Sequence, residues 1–231
     1  MMADQILTFF KHLKISAKLP TGVGILNPYK DESVYALCEQ FYRKYYNDDN
    51  PRQLILGINP GRHGAGVTGI PFTDPIKLEK YCNIPNSLQK KPELSADFIY
   101  EMISSFGGPE RFYGKFHFSA VSPLGFVMDG KNLNYYDLRE LEVCLRPFII
   151  QTLTKTLKIG IDTSICYCLG EGENFKYLTR LNAEQKFFDK IIPLAHPRFI
   201  MQYRRKKVRE YVDGYLKAMR NDNDMRIAIN D

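Results

Sequence analysis

The segment most suggestive of chemistry is the glycine-rich run GINPGRHGAGVTGIPFTDP, from Gly57 to Pro75. It has five glycines in 19 residues, directly after an apolar run, so its backbone must turn sharply or approach a ligand closely. It lacks the Gly-Lys-Ser/Thr of a Walker A loop, and it is not a dinucleotide-binding G-x-G-x-x-G motif that opens a helix. On these residues alone, a tight turn around Asn59 and a ligand-binding loop are equally supported.

A second candidate is the segment LAHPRF, in which His196 follows an apolar run and precedes a proline. A histidine held in this way can donate or accept a hydrogen bond near neutral pH. For an isolated histidine, capping of its own loop is the more common role.

The segment after this histidine, residues 197–209, is strongly basic and contains no acidic residue. Its cations are Arg198, Arg204, Arg205, Lys206, Lys207 and Arg209. Taken alone, such a run favours a solvated helix face. The formal net charge of +6 permits an anionic partner without identifying one.

Hydrophobic periodicity predicts the elements that position these segments. The predicted strands are 54–58, 116–121, 164–170 and 190–195. The predicted helices are 4–14, 32–46, 95–106, 136–158, 171–184 and 202–219, with Pro147 expected to break the fourth or to open a new first turn. This alternation predicts an α/β fold, a three-layer α/β/α sandwich with a central, mostly parallel four-stranded sheet. Both candidate loops then lie at the carboxyl ends of strands, where ligands bind in such folds.

Together the two loops resemble those of the uracil-DNA glycosylase superfamily, most closely its single-strand-selective monofunctional (SMUG-like) branch. Gly57 to Asp74 resembles that branch's first motif, which runs Gly-Met-Asn-Pro-Gly and ends Thr-Gly-Val-Pro-Phe-Gly-Glu at the same spacing. His196-Pro197 resembles the start of its second motif, His-Pro-Ser-Pro-Arg. Weaker similarities are NPY at 27–29, SPL at 122–124 and GKNLN at 130–134.

The resemblance implies a monofunctional DNA glycosylase of base excision repair, which hydrolyses the N-glycosidic bond of uracil and, if its range is broad, of other deaminated bases. In this scheme Asn59 holds the attacking water, and His196 hydrogen-bonds the uracil oxygen on which negative charge develops. Phe72 stacks on the flipped base. The other residues assigned to base binding are Gly57, Ile58, Gly61, Ser119 and Ala120. Ala120 departs from the family, which carries a base-reading Asn there.

The expected partner is DNA, single- or double-stranded, whose target nucleotide must leave the helix to be cut. The apolar residues after His196-Pro197 suggest a wedge that fills the vacated gap, with Phe199, Ile200 and Met201 as candidates. Arg62 and His63 are also assigned to DNA binding. The residues expected to bind phosphates are Arg198, Arg204, Arg205 and Lys206.

The composition is typical of a globular protein, with 44% hydrophobic and 25% charged residues. No apolar run is long enough for a membrane helix, and the five cysteines show neither a disulfide framework nor metal-ligand spacing. We therefore expect one domain over residues 1–231, monomeric and cytoplasmic, with no metal and no cofactor.

Two other functions stay open. The missing base-reading Asn at Ala120 is compatible with a module that binds damaged or single-stranded DNA with little catalysis. A nucleotide-binding α/β enzyme could use the glycine-rich loop for phosphate, although that loop lacks a phosphate-coordinating lysine. Tight binding of free nucleotides without DNA affinity would favour this last function.

Overall fold

The computed structural model describes residues 1–230, with side chains described through residue 220. The strands of this part of the chain are β1 (Gly24–Leu26), β2 (Arg52–Gly57), β3 (Phe116–Ala120), β4 (Gly125–Met128), β5 (Lys131–Leu133), β6 (Ile161–Leu169) and β7 (Lys190–Leu194). Its α-helices are α1 (Met2–Lys11), α2 (Glu32–Tyr45), α3 (Ala65–Thr68), α4 (Pro75–Lys80), α5 (Leu94–Phe106), α6 (Pro109–Tyr113), α7 (Arg139–Leu157), α8 (Glu173–Gln185), α9 (Pro197–Tyr203) and α10 (Val208–Asn230).

The main sheet has four strands in the order β3-β2-β6-β7, and every neighbouring pair is parallel. All six residues of β2 are buried, as the continuous apolar run Leu54-Ile55-Leu56 requires of a central strand covered on both faces. Because all four strands point the same way, the loops that follow β2, β3 and β7 open on one edge of the sheet.

Helices cover both faces of this sheet, as successive residues of β3 show. Phe116 packs against Phe106 of α5, with ring centroids 5.5 Å apart. The next residue, His117, points to the opposite face and meets Tyr42 of α2 and the following Tyr46. The predicted α/β sandwich with a parallel four-stranded sheet is therefore confirmed.

A second, antiparallel sheet of order β1-β4-β5 was not predicted. Its strands have only three or four residues each, too short for a clear alternation of apolar and polar residues. The turn between β4 and β5 is Asp129-Gly130, and both residues have positive φ, 49° and 69°. An Asp-Gly pair in this conformation is typical of a two-residue hairpin, so the sequence did carry a signal for it.

Two predicted helix boundaries were wrong. Helix α7 continues through Pro147 instead of breaking there. The carbonyl four residues earlier belongs to Val143, which is 64% exposed, so water can hydrate the oxygen that the missing N–H leaves free. The predicted helix 202–219 is also divided: α9 ends at Tyr203, and α10 begins at Val208 after a 3₁₀ turn.

None of the helices in the described part of the chain combines the length and apolar character needed to cross a membrane.

Candidate active site

A cleft of about 560 Å³ lies at the carboxyl edge of the main sheet and receives residues from both candidate loops. The loop after β2 contributes Asn59, and the loop after β7 contributes His196. These residues are 137 positions apart in sequence (196 − 59), and the parallel sheet is what brings them to one site.

The Asn59 amide is held in one orientation by the chain that follows β5. Its Nδ2 donates to the carbonyl oxygen of Leu133 at 3.2 Å, and its Oδ1 accepts from the backbone N–H of Tyr135 at 3.0 Å. Nδ2 also donates to the carbonyl oxygen of Pro60 at 3.4 Å, so both of its protons are used. An amide oxygen has two lone pairs, so Oδ1 keeps capacity for one further hydrogen bond. The side chain is only partly buried and lines the cleft. It can therefore bind and orient a water molecule without rotating.

Tyr135 is itself anchored in the core. Its side chain is fully buried, and its hydroxyl donates to Oδ1 of Asn174 at 2.9 Å. Asn174, at the start of α8, donates in turn from Nδ2 to the carbonyl oxygen of Leu169 at 3.0 Å. The backbone group that holds Asn59 is thus tied to β6 through buried hydrogen bonds.

His196 precedes the first turn of α9 and caps it. Its Nδ1 lies 3.1 Å from the backbone nitrogen of Arg198 and accepts its N–H. An Nδ1 that accepts must be unprotonated, so in the neutral ring the proton is on Nε2. Burial, and secondarily the positive charge of Arg198, lower the pKa of His196 to about 4. At neutral pH the ring is therefore uncharged and offers one N–H donor.

Phe72 places its ring between β3 and this histidine, with centroids 5.2 Å from Phe118 and 6.4 Å from His196. Its backbone is left-handed, with φ of 54°, an uncommon conformation for a bulky residue. Gly57 makes room for the ring, because a Cβ there would lie 2.7 Å from Cζ of Phe72. The aromatic wall of the cleft therefore depends on this glycine.

Comparisons with known proteins identify the family to which this fold belongs. The model of the uracil DNA glycosylase superfamily matches residues 43–220. The crystal structure of wild-type Pedobacter heparinus SMUG2 superimposes with a TM-score of 0.94 at 47% sequence identity, covering 96% of this chain and 98% of that one. The search of curated proteins found no match.

The chain belongs to the uracil DNA glycosylase superfamily.

The remaining residues that we assigned to base binding also lie at this cleft. Ile58, Gly61, Ser119 and Ala120 all line the cleft, in addition to Gly57. Ser119 and Ala120 pair in parallel register with Leu56 and Gly57 at the end of β3. Ala120 offers no side-chain hydrogen bond at this wall, so the nearest side-chain donor or acceptor on β3 is the hydroxyl of Ser119.

The residues predicted to contact DNA divide into three groups. His63, Arg198 and Phe199 line the cleft. Arg62, Arg204, Arg205 and Lys206 are exposed on the surface outside its lining. Met201 and Ile200 are buried, with 9% and 0% exposure, because they form the inner face of α9. As wedge residues these two were wrong, and of the three candidates only Phe199 is accessible.

The glycine-rich loop is fixed by the small sheet. Asn132 of β5 accepts the backbone N–H of Arg62 at 3.1 Å, and the Arg62 guanidinium donates to the carbonyl oxygen of Gly130. His63 lies further along the same loop. Burial lowers its pKa, and the charges of Lys91, Arg62 and Arg198 act in the same direction, partly offset by Glu93.

Sequence reasoning missed several residues of the site. Asn132 and Asn134 of the hairpin region line the cleft, as do Glu93 and Leu94 at the start of α5. The GKNLN segment was noted only as a weak similarity, and its role is visible once the Asp-Gly hairpin is recognised. Glu93 caps α5 by accepting from the N–H of Ala96 at 2.9 Å, and no sequence pattern linked it to the cleft.

Proposed function

We propose that this protein is a monofunctional uracil-DNA glycosylase of base excision repair, which hydrolyses the N-glycosidic bond of uracil, and of other deaminated bases, in DNA. The observation that carries the proposal is the convergence of an oriented amide, Asn59, and a neutral N–H donor, His196, on one cleft. Membership of the superfamily supports the same reaction class.

In the proposed reaction the target nucleotide leaves the helix, and its base stacks against Phe72 in the cleft. Asn59 orients a water molecule toward C1′ of the sugar. The bond between C1′ and the base nitrogen breaks with its electron pair remaining on the base, while the water oxygen forms the new bond to C1′ and releases a proton. The products are an abasic site and the free base.

The charge that most needs stabilisation is on the leaving group, because the base departs with a developing negative charge on its carbonyl oxygen. The Nε2–H of His196 would donate to that oxygen. Removing one such donor from a preorganised site typically reduces kcat by about 10²- to 10³-fold. An amide is a weak base, so the contribution of Asn59 is positioning of the water.

Two further properties support the absence of a lyase step and the use of DNA as substrate. Among the described residues, the side chains that line the cleft include no lysine that could form a Schiff base. The exposed cations Arg62, Arg198, Arg204 and Arg205 lie on the segments that border or follow the cleft, where they would neutralise phosphates. The logarithm of the DNA-binding constant should therefore fall linearly with the logarithm of salt concentration.

The test uses labelled single-stranded and duplex oligonucleotides with one uracil, incubated with the protein and then heated in alkali. Matched strands carry the deamination products of adenine and of guanine. We expect alkali-dependent cleavage at uracil and no cleavage without alkali, with about 100-fold or greater loss in Asn59→Ala and His196→Ala. The matched control is His12→Ala, because His12 is exposed and follows the last residue of α1. Absence of base release from every substrate would refute the proposal.

A second candidate, a binder of damaged or single-stranded DNA with little catalysis, is favoured by one observation. The wall formed by Ala120 lacks an amide that could read the base edge. This candidate predicts that the protein binds uracil-containing strands tightly without releasing a base. It also predicts that Asn59→Ala leaves the amount of bound DNA unchanged.

A further inference from the structure

The outer face of α9 carries two aromatic side chains that are unusually exposed. Phe199 is 40% and Tyr203 is 61% exposed, and their ring centroids lie 5.7 Å apart. Among the described side chains, the exposed large hydrophobic residues are Met1, Ile25, Leu94, Val143, Phe199 and Tyr203. Three of these six line the same cleft. Such a concentration of exposed apolar surface at one place marks a binding surface.

We propose, on the basis of the function proposed above, that Phe199 and Tyr203 form a stacking surface for the unpaired base next to the flipped nucleotide. The substrate class that this surface fits is single-stranded DNA, because an unpaired base can turn its face onto the rings without breaking a base pair or a duplex stack. A wedge, in contrast, enters a duplex between two stacked bases. Two rings side by side on one helix face instead present an extended aromatic surface.

The position of the pair relative to the proposed chemistry agrees with this role. Phe199 and Tyr203 follow His196 by three and seven residues, about 4.5 and 10.5 Å along a helix axis. Because His196 would hold the flipped base, these offsets along α9 are of the order of the spacing between one nucleotide and the next. Because α9 is capped by His196 itself, the base-binding group and the stacking surface form one rigid unit.

The charges around the rings are also those of a single-strand site. The guanidinium of Arg204 lies 5.3 Å from the Phe199 ring centroid and donates to the carbonyl oxygen of Tyr203 at 3.1 Å. Arg198 is exposed on the same helix and lines the cleft. Aromatic faces for bases combined with cations for the backbone are the means by which proteins hold single strands without sequence preference.

The experiment compares wild type with Tyr203→Ala, Phe199→Ala and Tyr203→Phe, and with Val143→Ala as a control. Val143 has a similar exposure, 64%, and lies on α7 outside the cleft lining. Four uracil substrates are used: a plain single strand, two single strands whose 5′ or 3′ neighbour of uracil is a tetrahydrofuran residue without a base, and a duplex. Fluorescence anisotropy on the corresponding strands without uracil measures binding independently of catalysis.

We expect Tyr203→Ala and Phe199→Ala each to lower kcat/KM on the plain single strand by about tenfold, with Tyr203→Phe and Val143→Ala near wild type. On one of the two tetrahydrofuran strands, wild type should fall to the level of the alanine variants, which should lose nothing further. This pattern would also identify the side of uracil on which the base stacks.

The stacking surface is refuted if the alanine variants lose activity equally on both tetrahydrofuran strands and on the plain strand. A loss confined to the duplex would also overturn it and would assign Phe199 to a wedge. If wild type released no base from any strand, the proposed function would fail. The binding measurements would then still decide whether the rings hold a neighbouring base.

Discussion

The neutral state of His196 leads to a pH prediction that can be worked through from the structure. Burial and the charge of Arg198 lower its pKa from 6.5 to about 4. With a pKa of about 4, roughly 97% of the rings are neutral at about pH 5.5, whereas with an unshifted pKa of 6.5 only about 9% would be. Only the uncharged ring can accept the N–H of Arg198 at Nδ1 while it donates from Nε2. We therefore expect kcat/KM to stay almost constant from about pH 8 to 5.5. It should then fall as the pH approaches 4.

The assay is base release from a single-stranded uracil oligonucleotide under conditions in which kcat/KM is measured, since that ratio reports the free enzyme. Circular dichroism at each pH separates titration from unfolding. The acid limb should disappear in His196→Ala, whose residual activity has no such donor. His63→Gln is the control, because His63 also lines the cleft and its pKa is also lowered.

Arg198→Gln removes the secondary cause of the shift and should move the acid limb to higher pH. An acid limb in the wild type near pH 6.5 that is retained in His63→Gln would refute the argument that His196 is held neutral by its surroundings. Arg198 also lowers the pKa of His63, so a limb that disappears in His63→Gln and remains in His196→Ala would assign the titration to His63 instead.

Three further predictions follow from the packing. Gly57→Ala should lower kcat/KM about tenfold or more by displacing Phe72, since a Cβ there would lie 2.7 Å from Cζ. Gly214→Ala, where a Cβ meets no atom within 4 Å, should leave activity unchanged. Equal activities of the Gly57→Ala and Gly214→Ala variants would contradict the packing argument. Tyr135→Phe should lower kcat severalfold with little change in KM. The lost hydroxyl leaves the buried Oδ1 of Asn174 without its donor, at a cost of about 1–3 kcal/mol. An unaltered kcat in steady-state assays would show that the hydroxyl does not help to position Asn59. Burial lowers the pKa of His117 to about 3, so the unfolded state binds its proton more tightly, and thermal stability should fall as the pH decreases from about 6.5 toward 3. Denaturation scans of His117→Leu should show a flatter pH dependence, and an unchanged slope would exclude this histidine as a cause.

The sequence predicted the main sheet because its strands are apolar runs bounded by turn residues. Leu54-Ile55-Leu56 is fully buried, and such a run allows few other structures. The parallel order then required that the loops after β2 and β7 share one edge. This is why the sequence alone predicts that Asn59 and His196 lie in one cleft.

The support of Asn59 could not be predicted in the same way. It depends on a carbonyl of Leu133 and an N–H of Tyr135, and backbone groups carry no sequence signal of their own. The strands that deliver them are short and partly exposed, so hydrophobic periodicity is weak there. Two of the three wedge candidates, Ile200 and Met201, were wrong for a related reason. The segment after His196 is a helix, and helical periodicity buries these two residues while it exposes Phe199 and Tyr203.

The distribution of charge explains how one cleft could both attract DNA and perform this reaction. Cations such as Arg198 and Arg204 stand at or beyond the rim, while the groups proposed to contact the reacting atoms, Asn59 and His196, are neutral. Arg198 belongs to the cations at the rim and also acts on a neutral group of the site. Its backbone N–H fixes the tautomer of His196, and its charge disfavours protonation of that ring. A protonated His196 would keep its Nε2–H, yet its Nδ1 could no longer accept the N–H of Arg198, and a cation would lie beside Arg198 in a partly buried site. The neutral ring avoids this repulsion and keeps its Nε2–H aimed by the cap that Nδ1 makes. The same two hydrogen-bonding nitrogens therefore serve the start of α9 and the proposed leaving group at once.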